Sequence, residues 1–129
     1  MISALVAALL VQPTISSNMP GASIDLPPAI APHVLPYMNC TMRRSNADPR
    51  MPTGEVAVLR AINADARAAC ADVRRRGTEA ASRVLRRDRA HCNPALRLAF
   101  IGRVFDQVDR AQEALAAAVE RMNAPADKD

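Results

Sequence analysis

The segment Ala90-His91-Cys92-Asn93-Pro94 decides how this chain of 129 residues folds. Asn93 is a helix N-cap by type. Pro94 behind it suits the first helical position, where its missing N–H costs nothing. Forward from there, Leu98, Ile101, Phe105, Val108, Leu115, Val119 and Met122 recur in steps of three and four, with polar Gln112 completing the series. That is one face of a helix, expected over about 94–122 and ended by Asn123 and Pro125. Backward, Leu59, Ile62, Ala66, Ala69 with Cys70, Val73, Gly77, Ala80 and Val84 keep the same spacing. Thr53 suits an N-cap and Glu55 a first turn, so a second helix is expected over about 54–88. Gly77 costs it about 1 kcal/mol relative to Ala, and one continuous helix is preferred to two halves broken there. The expected fold is all-α, a long antiparallel helical hairpin.

A turn near Cys92 pairs positions whose numbers sum to about 182. Val84 then faces Leu98, Gly77 faces Phe105, Val73 faces Val108, and Ile62 faces Val119 or Met122. The seam is thin: the chain has 26 alanines, two Phe, one Tyr and no Trp. Alanine favours helix but buries little area. Two helices also leave Phe100, Val104 and Ala111 without cover. Cover is expected from the upstream segment, or from a second copy of the chain in a homodimeric four-helix bundle.

Upstream, residues 18–52 hold Pro20, Pro27, Pro28, Pro32, Pro36, Pro49 and Pro52. Each removes a donor and restricts the residue before it, so a mostly irregular arm is expected, with one or two helical turns from Pro32 to about Cys40. Leu35, Tyr37 and Met38 are too apolar for a free tail and should pack on the hairpin. Residues 1–17 carry an uncharged apolar run from Ala4 to Val11. It is shorter than the roughly 20 residues of a membrane span, and it fits the apolar part of an export signal cut at Ser17, although no Lys or Arg precedes it. The expected organisation is a signal peptide over 1–17, an arm over 18–52, a hairpin domain over 53–123 and a frayed tail over 124–129. A periplasmic or secreted location follows, with the cytoplasm as the alternative and no transmembrane segment after signal removal.

Three cysteines, Cys40, Cys70 and Cys92, leave one unpaired in an exported protein. On a continuous helix Cys70 and Cys92 sit on the order of 30 Å apart, beyond disulfide reach. Cys40 has enough chain to lie beside Cys70, so Cys40–Cys70 is the expected disulfide and Cys92 the free thiol. A metal site from His33, Cys40, His91 and Cys92 lacks ligand spacing, and adjacent His91 and Cys92 are poorly placed to act as base and nucleophile. No glycine-rich phosphate loop, G-x-S-x-G or HExxH occurs. No metal, cofactor or catalytic chemistry is expected.

The net charge is +4, and sixteen of the seventeen basic residues are Arg. Arg74, Arg75, Arg76, Arg83, Arg86, Arg87, Arg89 and Arg97 gather near the fold point, among Asp72, Glu79 and Asp88. Functionally this is a polyanion-binding patch for nucleic acid, lipid headgroups or an acidic protein. The plainer alternative is a solvated face with pairs such as Glu79–Arg75 and Glu79–Arg83. Leu85-Arg86-Arg87-Asp88-Arg89-Ala90-His91-Cys92 locally resembles the Arg-Asp-…-Cys ending of small periplasmic lysozyme-inhibitor-like proteins. The tryptophan of that family is absent and one extra residue precedes the cysteine, so no function is carried over. The expectation is a small exported helical protein that acts by binding, with a cytosolic nucleic-acid-binding protein as the alternative.

Overall fold

The computed structural model describes residues 16–19 and 22–125. The expected signal segment and the frayed tail therefore lie almost wholly outside the described residues. Strands β1 (Ser16–Met19) and β2 (Ala22–Asp25) pair antiparallel, Ser16 opposite Asp25. Four helices follow: α1 (Ala31–Asn46), α2 (Val56–Ala69), α3 (Ala71–Leu85) and α4 (Pro94–Asn123). Short 3-10 turns at Met51–Thr53 and Arg89–His91 join α1 to α2 and α3 to α4.

The chain is mostly helical, as its periodicity requires, but the layout has three layers where two were expected. Between α2–α3 and α4, the ion pairs Arg60–Glu120, Arg67–Glu113 and Arg74–Asp106 have residue numbers that all sum to 180, which marks an antiparallel course. On the other side, α1 runs antiparallel to α2–α3. His33 lies against Gly77, Cys40 against Cys70, and Ser45 against Asn63.

The irregular arm is thus a correction: α1 is a helix of 16 residues with Pro36 inside it. Pro32 occupies the first turn, where its N–H has no intrahelical acceptor anyway. Pro36 removes one bond, to the carbonyl of Pro32, and both prolines are exposed. Against that cost of about 3 kcal/mol stands the opposite face, Val34, Tyr37, Met38, Thr41 and Ser45, all buried. Fully burying side chains the size of Val or Met contributes roughly 1.5–3 kcal/mol each, enough to outweigh the proline.

The single helix over 54–88 is also corrected. Helical dihedrals lapse at Cys70, with φ −99° and ψ 9°, and not at Gly77. Cys70 N still donates to Ala66 O (3.0 Å) and Arg74 N to Cys70 O (3.1 Å), so the interruption is a kink at the residue tied to α1. The start moves from Thr53, which lies in a 3-10 turn, to an N-cap at Glu55, with Gly54 taking a positive φ of 68°. The end retreats to Leu85 because Asp88 instead accepts from Ala90 N and caps the following turn.

Burial follows a shifted stripe. On α2 and α3 it runs Ile62, Ala66, Cys70, Gly77, Ala81 and Leu85. The expected Val84–Leu98 pair is overturned, since these are 40% and 51% exposed. From Gly77 the buried positions step by four, to Ala81 and Leu85; at about 100° per residue each such step turns the buried face by about 40°, so Leu85 replaces Val84 at the seam. α4 buries a wider face, including Arg97, Val104 and Ala111, because β2 and α1 lie on it as well. Ile24, Leu26, Ile30, Tyr37, Val104 and Phe105 belong to one core. α1 and β2 therefore supply the cover that a second copy would otherwise have to give. Among the described residues no helix is long and apolar enough to cross a membrane.

Candidate functional site

Where α3 gives way to α4 the chain projects as a tip: residues 86–96 are exposed, apart from half-buried His91. Local bonds shape it. Asp88 accepts from Ala90 N (3.0 Å) and sits 3.1 Å from His91 Nδ1, and these contacts, the backbone one first, hold its carboxyl below the usual range. The His91 ring lies 4.6 Å from that of Phe100. Asn93 caps α4 by accepting from Leu96 N at 3.2 Å.

Arg97 is the clamp behind the tip. Only 5% exposed, it donates from Nε to Ser82 Oγ (2.9 Å) and from Nη1 to the carbonyls of His91 (3.1 Å) and Cys92 (3.2 Å). One guanidinium thereby joins α3, the turn and α4. It belongs to the scaffold and not to a binding face.

The other arginines sort by partner. Arg74 is half-buried and its guanidinium is paired: Nη2 donates to Asp106 (2.8 Å) and Nη1 to Asp109 (2.7 Å). Its guanidinium also lies 5.6 Å and 5.3 Å from the ring centres of Tyr37 and Phe105, within cation–π range. Arg75 is exposed but paired with Glu79 at 3.1 Å and Asp72 at 3.5 Å. Arg76 lines a cleft of about 860 Å³ between α1 and α2–α3, together with Arg43 and Arg44. Arg83, Arg86, Arg87 and Arg89 stay at the tip, exposed and without a carboxylate partner among the described residues. Beside them Val84, Leu96 and Leu98 are exposed, Leu96 by 65%.

The sulfurs of Cys40 and Cys70 are 2.08 Å apart and bonded, which leaves Cys92 as an exposed free thiol at the tip. Cys40 is thereby removed from any Cys2His2 set. Among the described residues no group of three or more His, Cys, Asp or Glu is placed to hold a metal. Asn39-Cys40-Thr41, which has the pattern of an N-glycosylation sequon, lies within α1, its Thr41 fully buried and donating to Met38 O.

A polar network behind Arg74 was not anticipated from the sequence. Tyr37 Oη donates to Asp109 Oδ1 at 2.7 Å, and the Tyr37 and Phe105 rings meet edge-on at 5.5 Å. Burial, then the bond to Asp109, pushes the Tyr37 hydroxyl up to about 12. A raised folded-state value means that the neutral phenol stabilises the fold fully below about 10 and loses that contribution as pH climbs towards 12. Tyr37 is the only tyrosine, so absorbance titration reads it directly. Its ionisation is expected at about 12 in the folded protein. In the Asp109→Asn variant it should come at lower pH.

Compared with known proteins, the chain matches no family model, no curated protein and no solved structure.

Proposed function

We propose that this is a small exported helical protein that works by binding, and that its tip docks on an anionic surface through Arg83, Arg86, Arg87 and Arg89. The observation that carries this is the density of unpaired arginines at the tip. Arg50, Arg60, Arg67, Arg74 and Arg75 each have a carboxylate partner. Among the described residues Arg43, Arg44, Arg76, Arg103, Arg110 and Arg121 have none but are scattered along the sequence, whereas these four stand unpaired within seven positions. The one acid between them, Asp88, is engaged with Ala90 and His91. Like charges gathered on a projecting turn raise the local potential and draw in anions. Export is supported by the Cys40–Cys70 bond, since disulfides persist in oxidising compartments, and by the apolar run Ala4–Val11.

Exposed Val84, Leu96 and Leu98 beside the arginines favour acidic lipid headgroups over nucleic acid, because apolar side chains next to cations suit a membrane interface. Nucleic acid would call for stacking aromatics, and the one at the tip, Phe100, is half-buried against His91. The test is partitioning onto phosphatidylglycerol vesicles, with phosphatidylcholine vesicles and duplex DNA as comparisons. Binding to the acidic vesicles should weaken as salt is added. Replacing Arg86, Arg87 and Arg89 by Ser should lower it on the order of a hundredfold, at about 1 kcal/mol per arginine. Binding to neutral and acidic vesicles alike would overturn the arginine mode, and preference for DNA would favour the nucleic-acid alternative. For export, the intact mass of the protein from its own cell should lack about the first 16 residues and two hydrogens. An uncut chain with three thiols would contradict it.

A further inference from the structure

The cleft of about 860 Å³ between α1 and α2–α3 lies apart from the tip and shares no residue with it. Pro36 and Cys40 belong to its α1 wall, and Ile62, Ala66, Ala69 and Val73 to the facing wall, each set spaced by three or four so that it forms one stripe of its helix. Helix packing leaves part of this apolar surface uncovered. Pro36 and Ala69 are exposed, and Cys40 and Val73 half-buried. The Cys40–Cys70 bond ties the two walls together, so their spacing is set before anything binds.

Charge sets this cleft apart from an ordinary groove between helices. Arg43, Arg44 and Arg76 line it, all three exposed. The antiparallel course of α1 over α2–α3, with His33 against Gly77 and Cys40 against Cys70, brings these distant positions to one cleft. The acids in the lining, Asp48 and Asp65, do not balance them, because Arg50 holds both. Its Nη2 donates to Asp48 Oδ2 (2.8 Å) and Asp65 Oδ2 (2.7 Å), and its Nε to Asp48 Oδ1 (3.0 Å). Three guanidiniums beside uncovered aliphatic surface thus have no carboxylate partner among the described residues.

We infer that this cleft binds a small aliphatic anion, a hydrocarbon chain headed by a carboxylate or a phosphate, with the chain along Ala66, Ala69 and Val73 and the head on the arginines. The arginines set the sign of the ligand, since a guanidinium holds either head through paired hydrogen bonds. The walls set its body: they are aliphatic, and no aromatic side chain lines the cleft for a planar ring to stack on. The volume falls among the roughly 300–1,000 Å³ of small-molecule sites. From Pro36 to Arg43 α1 rises about 10 Å, which an extended octyl chain spans. The inference does not rest on the role of the tip, whose arginines take no part in the cleft.

The test is a titration of oxidised, isotope-labelled protein with octanoate, octyl phosphate, 1-octanol and acetate, followed by NMR. At least one of the octyl anions should bind saturably, with the largest shifts at the methyls of Ala66, Ala69 and Val73 and at the Nε–H groups of Arg43, Arg44 and Arg76. The tighter of the two assigns the head. 1-Octanol has the chain without the charge and acetate the charge without the chain, and each should bind at least about tenfold more weakly. Arg43→Ser/Arg44→Ser/Arg76→Ser removes no ion pair and should weaken the anion at least about tenfold. Arg86→Ser/Arg87→Ser/Arg89→Ser should stay within about twofold of the parent, as a distant change. No saturable binding of either octyl anion, or 1-octanol or acetate binding as tightly, would overturn the inference. Shifts centred on the tip, with the loss in the tip variant instead, would overturn it while leaving the anion-binding tip in place. The ligand comparison in the unaltered protein decides the matter even if a variant does not fold.

Discussion

Reducing the Cys40–Cys70 disulfide lowers the unfolding free energy by about 3.7 kcal/mol, the loop-closure entropy returned to the unfolded chain. The bond spans a sequence separation of 30 and ties the middle of α1 to the kink between α2 and α3. Small domains are stable by only about 5–15 kcal/mol, so this single bond is a large fraction of the total. In urea, at about 1–3 kcal/mol per molar, the midpoint should fall by at least about 1 M on reduction. The Cys40→Ala/Cys70→Ala variant should show the same loss. Cys92→Ser should leave the midpoint in place, because that thiol is exposed and unbonded. A midpoint that hardly moves on reduction would mean that α1 is held without its staple.

Gly77→Ala should destabilise the protein by about 2–3 kcal/mol, although alanine is the better helix former by about 1 kcal/mol. A Cβ at position 77 would run into the backbone carbonyl of His33 and would stand 3.0 Å from Phe105 Cζ. A rotamer change cannot relieve the first contact, because the obstacle is the α1 backbone. The second is with a fully buried ring. Gly102→Ala supplies the opposite sign. It lies within α4, and its Cβ would meet nothing within 4 Å. That variant should gain about 0.5–1 kcal/mol from the lower entropy of the unfolded chain. The two urea midpoints, moving apart from the parent, separate packing from propensity. Two gains would show that α1 does not lie on α3.

What could be seen in the sequence, and what could not, divides along physical lines. Asn93-Pro94 marked the start of α4 because capping is local chemistry, read from two neighbouring residues. Gly77 opposite Phe105 was legible from matching stripes, but the nearer obstacle, the His33 carbonyl, was not, since nothing in a proline-rich segment announces a third helix. Pro32 and Pro36 argue against helix locally, and only their shared exposed face makes α1 tolerable. The same omission displaced the seam. A two-helix hairpin needs one buried stripe on each helix, whereas α4 lies under both α3 and α1, so Val104, Ala111 and Gln112 are buried together.

The arginines show a similar limit. Counting them located the tip, but Arg97 is buried and Arg74 half-buried because each has a specific set of acceptors within the molecule. Acids placed to complement α2–α3 were present on α4 throughout, as Glu120 for Arg60, Glu113 for Arg67 and Asp106 for Arg74. Pairing them would have given the register and shown which arginines were taken. Gln112 carried its own signal as the one polar member of an apolar series, and in the structure its side chain bonds Thr41 of α1.

The central claim is that the proline-rich segment is a core helix, and amide hydrogen exchange on the oxidised protein tests it most directly. The amides of Val34, Tyr37, Met38 and Thr41 should exchange only through global unfolding, as slowly as those of Ile101 and Phe105 in α4. Exchange of the four α1 amides within seconds, while α4 stays protected, would contradict the three-layer fold and return the segment to an irregular arm.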